Sequence, residues 1–296
     1  MEDHANVKAT KVVVAANVLL ISSKLLVALL TGSIGVLAVL IDSGFDLVGS
    51  LIAYFGVKKG SEPADTDHLY GHKKYESISS LAQLSLIAIT AALIIGESVR
   101  RLASPVELDI TGMDLVLMFF TVIVDIGIVL YLRKNADSKS SAIQASVGNY
   151  TSDIFQNSMV FIGLAGVGLG FHMADPIAAL VVAGLMLRVV HKIGTGAFGE
   201  LTDASPPKSQ LQKYADCVMG VMGVKSFHRL RARQAAGHTH LDLHIQLDPK
   251  MTLEKSHAHS HEVKRRLMKK FPEISDVLIH VEPWEKHDTA APKFGS

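Results

Sequence analysis

Cysteine is almost missing from this sequence. A single Cys217 among 296 residues excludes a disulfide framework and a thiolate zinc cluster, since each needs at least a pair. Charge is scarce as well. Asp, Glu, Lys and Arg make up 19% of the chain, against about 25% in an ordinary soluble domain. With 49% hydrophobic residues and a mean hydropathy of +0.31, that deficit points to lipid as the main solvent. A net charge of +1 offers no field for nucleic acid. Two enzyme signatures are missing too. A membrane metalloprotease places His-Glu-x-x-His on a helix, and His261-Glu262-Val263-Lys264-Arg265 departs from it. No glycine-rich phosphate loop is present, which disfavours an ATP-driven pump. No cleavable signal peptide is expected, because residues 1–11 are polar and the apolar run after them is too long for an h-region.

What is present is apolar length. A helix needs roughly 20 apolar residues to cross a bilayer. Six windows qualify: 12–30, 34–57, 78–99, 113–132, 142–171 and 176–193. After residue 195 the pattern changes. A helix is expected near 210–221 and another over 253–271, while Leu241-Asp242-Leu243-His244-Ile245-Gln246-Leu247 alternates as a half-buried strand. Val277-Leu278-Ile279-His280-Val281 reads as a second strand. The expected architecture is a six-span transmembrane domain (1–195), a small α+β domain (196–287) and a flexible tail (288–296).

Basic residues orient the spans. Lys8, Lys11, Lys58, Lys59, Lys73, Lys74, Arg133, Lys134 and Lys139 fall on one side; Arg100 and Arg101, among Glu107, Asp109 and Asp114, fall on the other. Both termini are expected in the cytoplasm, with the soluble domain beside them.

Ionisable residues inside spans are costly and need a reason. Asp42 and Asp46 lie four apart in span two, as do Asn149 and Asp153 in span five. That spacing puts each pair on one helix face. If the two faces meet, four oxygen-bearing side chains surround one point, a cage for a divalent ion. Hydrogen bonding between helices is the alternative role for lone polar residues; paired aspartates fit ligation better. Asp125 in span four is a single acid, for which both roles stay open. Between spans two and three, Asp65, His68 and His72 have ligand character at short spacing, although histidines in polar loops are also often merely solvated. Most of the 14 histidines lie in the soluble domain. His238, His240, Asp242 and His244 share a strand face, His257 and His261 share a helix face with His259 turned elsewhere, and His280 and Glu282 lie on another strand. Imidazole is the commonest transition-metal ligand, so this clustering favours a metal site over a functionless surface.

Together, Asp42-xxx-Asp46, the Tyr70-Gly71-His72-Lys73-Lys74-Tyr75-Glu76 loop, the span-five pair and Leu230-Arg231-Ala232-Arg233-Gln234 resemble the cation diffusion facilitator family over nearly the whole chain. The resemblance implies a metallochaperone-like cytoplasmic domain and a homodimer in the plasma (inner) membrane. It also implies alternating access, with metal exchanged for protons. Asp42, Asp46, Asn149 and Asp153 match its transport site, and Asp65, His68 and His72 its loop site. His228, His244, His257, His280 and Glu282 match ligands at the cytoplasmic dimer interface, and Lys74 and Asp203 an interdomain pair. Mn²⁺, Fe²⁺, Zn²⁺ and Co²⁺ are implied as substrates and regulatory ligands, with no prosthetic group.

Zinc-selective relatives carry histidine where this chain has Asn149. An amide makes the site all-oxygen, which favours Mn²⁺ or Fe²⁺, although Zn²⁺ still binds such sites more tightly than Mn²⁺ by the Irving–Williams order. A zinc-selective exporter is thus the nearest alternative. Glu282, where aspartate is common, keeps the charge on a longer arm. A membrane-tethered metal sensor or a passive channel is the rival of another class, and the paired intramembrane acids argue for transport.

Overall fold

A computed structural model describes residues 2–31, 34–104, 112–168 and 173–285. Within these, the side chains of 2–3, 23–24, 27–28, 30–31, 34–42, 112–115, 117–118, 157, 160–168 and 174–175 are outside the description, as is the expected tail. The chain divides into two compact units, Met1–Phe198 and Gly199–Ser296.

The first unit is helical: α1 Glu2–Thr31, α2 Ile34–Gly60, α3 Lys74–Ala103, α4 Gly112–Asn135, α5 Ser141–Gly168 and α6 Ala174–Leu201. In lipid every backbone N–H must be satisfied within its own segment, so long apolar windows become helices. The helices outrun the apolar windows at their polar ends. α3 begins at Lys74 and α6 ends at Leu201, because hydropathy marks the hydrocarbon-facing stretch and the backbone ladder continues past it. Among the described residues, His4–Ser22, Lys74–Ala103 and Pro176–Leu201 are long and apolar enough to cross a membrane by length and composition.

Packing in this unit is inverted relative to a water-soluble protein. Leu19, Leu29 and Leu93 are exposed, whereas Asn6, Asn17, Ser77, Ser80 and Gln83 are buried. Lipid is as apolar as leucine, so large apolar residues gain nothing by turning inward and polar ones find partners there. α5 lies between two apolar clusters. One joins Val13, Val57, Leu132 and Ile143; the other joins Leu84, Ile87, Ala145, Val182 and Met186. A polar seam also ties α3 to its neighbours. Ser146 donates to Gln83 Oε1 over 2.8 Å, Ser140 donates to Glu76, and Ser79 donates to the Ile52 carbonyl over 2.8 Å. Such bonds contribute only about 0.6 kcal/mol each, so they select which faces meet more than they stabilise them. Gly56 lets α2 approach closely, since a Cβ there would sit 2.2 Å from that of Ser79.

The second unit contains α7 Lys208–Met219, β1 Ser226–Ala235, β2 His238–Leu247, α8 Leu253–Lys270 and β3 Ile274–Pro283. β2 is central, antiparallel to β1 and parallel to β3. Its burial alternates as the sequence implies, with Leu241, Leu243 and Ile245 packed on Val263 and Leu267 of α8. Thr252 caps α8, accepting from Lys255 N over 3.4 Å. β1 is the strand that sequence pattern missed. Its buried residues are Phe227, Leu230 and Ala232, a spacing of three and then two. A bulge between His228 and Arg231, with Arg229 at φ 49°, inserts the extra residue and breaks the period of two.

Candidate metal centres

In the first unit, α5 carries Asn149 and Asp153 one turn apart, and α2 brings Asp46 to them. The Asn149 amide donates from Nδ2 to Asp46 Oδ1 over 3.2 Å and to Asp153 Oδ2 over 3.1 Å. An amide NH₂ has two donors, and here both face carboxylates. To ligate a cation the amide must turn over so that Oδ1 faces the ion. Asp42 lies one turn before Asp46 on α2, its side chain outside the described residues. Asp125 is buried on α4.

Sequence reasoning gave no role to α1, yet α1 reaches this place. Asn17, 2% exposed, donates from Nδ2 to the Tyr150 hydroxyl over 2.6 Å and to the Asp46 carbonyl over 3.3 Å. A lone asparagine within Val12-Val13-Val14-Ala15-Ala16-Asn17-Val18-Leu19-Leu20 was the available signal. Its partners, 29 and 133 residues away, were not.

The α2–α3 loop brings Asp65, His68 and His72 together. Their ligand atoms lie within 4.8 Å of one another. Asp65 Oδ1 accepts from the backbone N–H groups of His68 over 2.7 Å and Asp67 over 3.0 Å, and this folds the turn. The His68 amide is the main reason the Asp65 carboxyl titrates below the usual carboxylate range. His72 is buried. Its Nδ1 lies 3.1 Å from the Pro63 carbonyl, an acceptor, so Nδ1 carries the proton. Nε2 makes no hydrogen bond and lies 3.3 Å from Asp65 Oδ2, an ion pair when the imidazole is charged. A carbonyl fixing the far nitrogen is how metal-ligating histidines are oriented, and here it leaves Nε2 turned towards the Asp65 carboxylate. Gly71, at φ +80°, makes the turn that delivers His72.

In the second unit, sheet register builds a row. His228 on β1 pairs with His244 on β2, which pairs with His280 on β3. Ring centroids are 5.0 Å apart for the first pair and 4.6 Å for the second. Glu282 lies two residues beyond His280 on the same face. Its carboxylate is 2.8 Å from His244 Nδ1, 3.2 Å from His228 Nε2 and 3.5 Å from His280 Nε2. His228, His244 and Glu282 form the second three-ligand group among the described residues. His257 falls outside that group: it lines a surface groove with Glu282, and its ring contacts His261 at 4.4 Å, as their spacing implies. His259 packs its ring over Gly223, where a Cβ would come within 2.7 Å of it. Asp203 adopts φ 56° and lies 3.6 Å from Arg233 within this unit, whereas Lys74 opens α3 of the other.

Apolar helices that turn their leucines outward and gather acid and amide side chains inside belong to an integral membrane transporter of cations. More narrowly, residues 10–201 match the cation efflux transmembrane domain and residues 206–284 the cytoplasmic domain of cation efflux proteins; the chain belongs to the cation efflux family, the cation diffusion facilitators. The cation-efflux pump FieF of Yersinia enterocolitica is 34% identical over 257 residues, covering 86% of this chain and 84% of that one. FieF of Salmonella schwarzengrund is 30% identical over 265 residues, covering 89% and 88%. Among solved structures, the copper form of the MamM CTD is 26% identical and covers 31% of this chain and 89% of that one, with a TM-score of 0.29.

Proposed function

We propose that this protein exports divalent transition-metal ions in exchange for protons, working as a homodimer by alternating access, with both termini in the cytoplasm. Asp42, Asp46, Asn149 and Asp153 are its carried-ion site. The observation that carries the reading is the convergence of Asp46, Asn149 and Asp153, drawn from two helices, on one point inside the bundle. An all-oxygen set suits Mn²⁺ and Fe²⁺, with Zn²⁺ and Co²⁺ also accepted because they bind most ligand sets more tightly than Mn²⁺.

Coupling follows from charge. Carboxylates crowded at one point share protons as a group, and an arriving dication displaces them. The two N–H donors of Asn149 offset part of the repulsion without being able to titrate, so the exchanged protons reside on the acids. In the loop, Asp65, His68 and His72 form a metal site. In the cytoplasmic domain, His228, His244 and Glu282, with His280 beside them and His257 across the groove, bind regulatory metal at the dimer interface.

The test uses the full chain in liposomes with a pH-sensitive dye inside. Wild type is expected to move Mn²⁺, Fe²⁺, Co²⁺ or Zn²⁺ with an opposing proton flux. Asp46→Ala and Asp153→Ala should each abolish transport while the protein still elutes as a dimer. Normal rates in either variant would overturn the site.

A further inference from the structure

We infer that Asn17 is a positioning residue of the carried-ion site, setting the spacing between Asp46 on α2 and the Asn149–Asp153 pair on α5. The inference rests on the reading of that site given above. Asn17 and Tyr150 are each 2% exposed, and one carboxamide joins three helices. From α1 it donates to the Tyr150 hydroxyl on α5 over 2.6 Å and to the backbone carbonyl of Asp46 on α2 over 3.3 Å. Both anchors are next to the ligands. Tyr150 follows Asn149 directly in the chain, and the Asp46 carbonyl belongs to a residue whose own carboxylate accepts from Asn149 over 3.2 Å.

The arrangement closes a ring. It runs from Asn17 to Tyr150, along one residue of α5 to Asn149, across to Asp46, and back through the Asp46 backbone to Asn17. A ring of this kind has little freedom. Of its three hydrogen bonds, the one from Asn149 to Asp46 opens when the amide turns its oxygen to an ion; the two from Asn17 remain and hold the Asp46 backbone against Tyr150. The second lone pair of the Asp46 carbonyl is available to Asn17 because a carbonyl oxygen has two and the helix uses one. Asn17 itself lacks the carboxylate of a good cation ligand, and its amide nitrogen is engaged by the Tyr150 hydroxyl and the Asp46 carbonyl, so it acts by holding the ligands. A rigid cage discriminates among ions by size and geometry; a loosened one binds all of them less tightly and less selectively.

An asparagine that merely glued helices would lower stability and the amount of folded transporter, leaving ion preference untouched. A positioning residue alters the affinity for the ion and the ranking of ions. In liposomes, Asn17→Ala is expected to raise the KM for Mn²⁺ by about tenfold, the usual effect of removing a ligand's supporting partner, with kcat changed much less. The ratio of kcat/KM for Mn²⁺ to that for Zn²⁺ should shift. Tyr150→Phe keeps the packing and removes only the oxygen that Asn17 contacts, so it should shift KM and the ratio in the same direction. The double variant should be no worse than the more severe single one, because both changes break the same ring.

Unchanged KM and unchanged ion ratio in Asn17→Ala would overturn the inference, as would a fall in folded protein with neither constant altered. If Asn17→Ala does not fold, Tyr150→Phe decides alone, and wild-type KM and ratio there overturn it. Asp153→Ala, measured alongside, separates the two layers. Normal transport by Asp153→Ala removes the site itself, whereas loss of transport there with wild-type behaviour in Asn17→Ala removes only the role of Asn17.

Discussion

Asn149 Nδ2 on α5 lies 3.2 Å from Asp46 Oδ1 on α2, joining residues 103 positions apart. The same amide donates to Asp153. One uncharged side chain thus bridges two acids from different helices, and ion preference should depend on it.

Asn149→His is expected to shift preference towards Zn²⁺ by about tenfold relative to Mn²⁺, since it supplies the nitrogen that tetrahedral zinc sites favour. It also exchanges two fixed N–H donors for a ring that can itself take up a proton, so proton release per metal should rise. Relative uptake of the metals by both proteins at two pH values checks this. An unaltered ranking would show that position 149 does not set selectivity.

The loop makes a graded prediction. His72 is buried, with its Nδ1 held by Pro63, whereas His68 is half exposed beside Asp65. His72→Ala should weaken loop binding by roughly 10–100-fold, and His68→Ala should weaken it less. Asp65 stays charged into acid because its carboxyl is held low by the His68 amide. Its contribution is therefore present above the ordinary carboxylate pKa and is lost only as pH falls through the lowered value. Calorimetric titration of the full chain, resolving one site fewer in His72→Ala, tests the assignment.

Gly223→Ala should destabilise the cytoplasmic domain. The residue sits at φ +97° with the His259 ring where its Cβ would go, so the substitution adds backbone strain, about 1–3 kcal/mol, to a clash. The single tryptophan, Trp284, lies in this unit and its backbone N–H donates to the Leu247 carbonyl at the end of β2 over 2.8 Å. Its fluorescence during denaturation should report a lower midpoint, and an unchanged midpoint would refute the packing assigned to His259.

His240 gives a pH dependence. Burial, then Arg233 on β1, push its imidazole below the usual value, opposed by Asp276 on β3 and Asp242 on its own strand, with His238 adding to the depression. A base with a lowered folded pKa is neutral in both states at high pH and costs nothing there. As pH falls below about 6.5 the unfolded chain gains the proton first. Stability is therefore lost from that point down to the folded value. Comparing Trp284 unfolding at pH 7.5 and 5.5, His240→Gln should lose less than wild type.

Much of this protein was legible before folding because lipid and sheet both impose local periods. Charge deficit and apolar runs placed the spans, i, i+4 spacing put Asn149 and Asp153 on one face, and alternation along residues 241–247 gave the buried side of β2. Local periods do not specify partners. Only tertiary structure brought α2 to α5, so that Asp46 meets Asn149, and set His228, His244 and His280 in one row, a register that depends on the bulge at Arg229. That bulge hid β1 by shifting its period of two. Asn17 stood out in its apolar run, yet nothing nearby in sequence could indicate Tyr150 or the Asp46 carbonyl. A helix face is decided by dihedrals that repeat every residue; which face it meets is decided by packing among side chains a hundred residues apart.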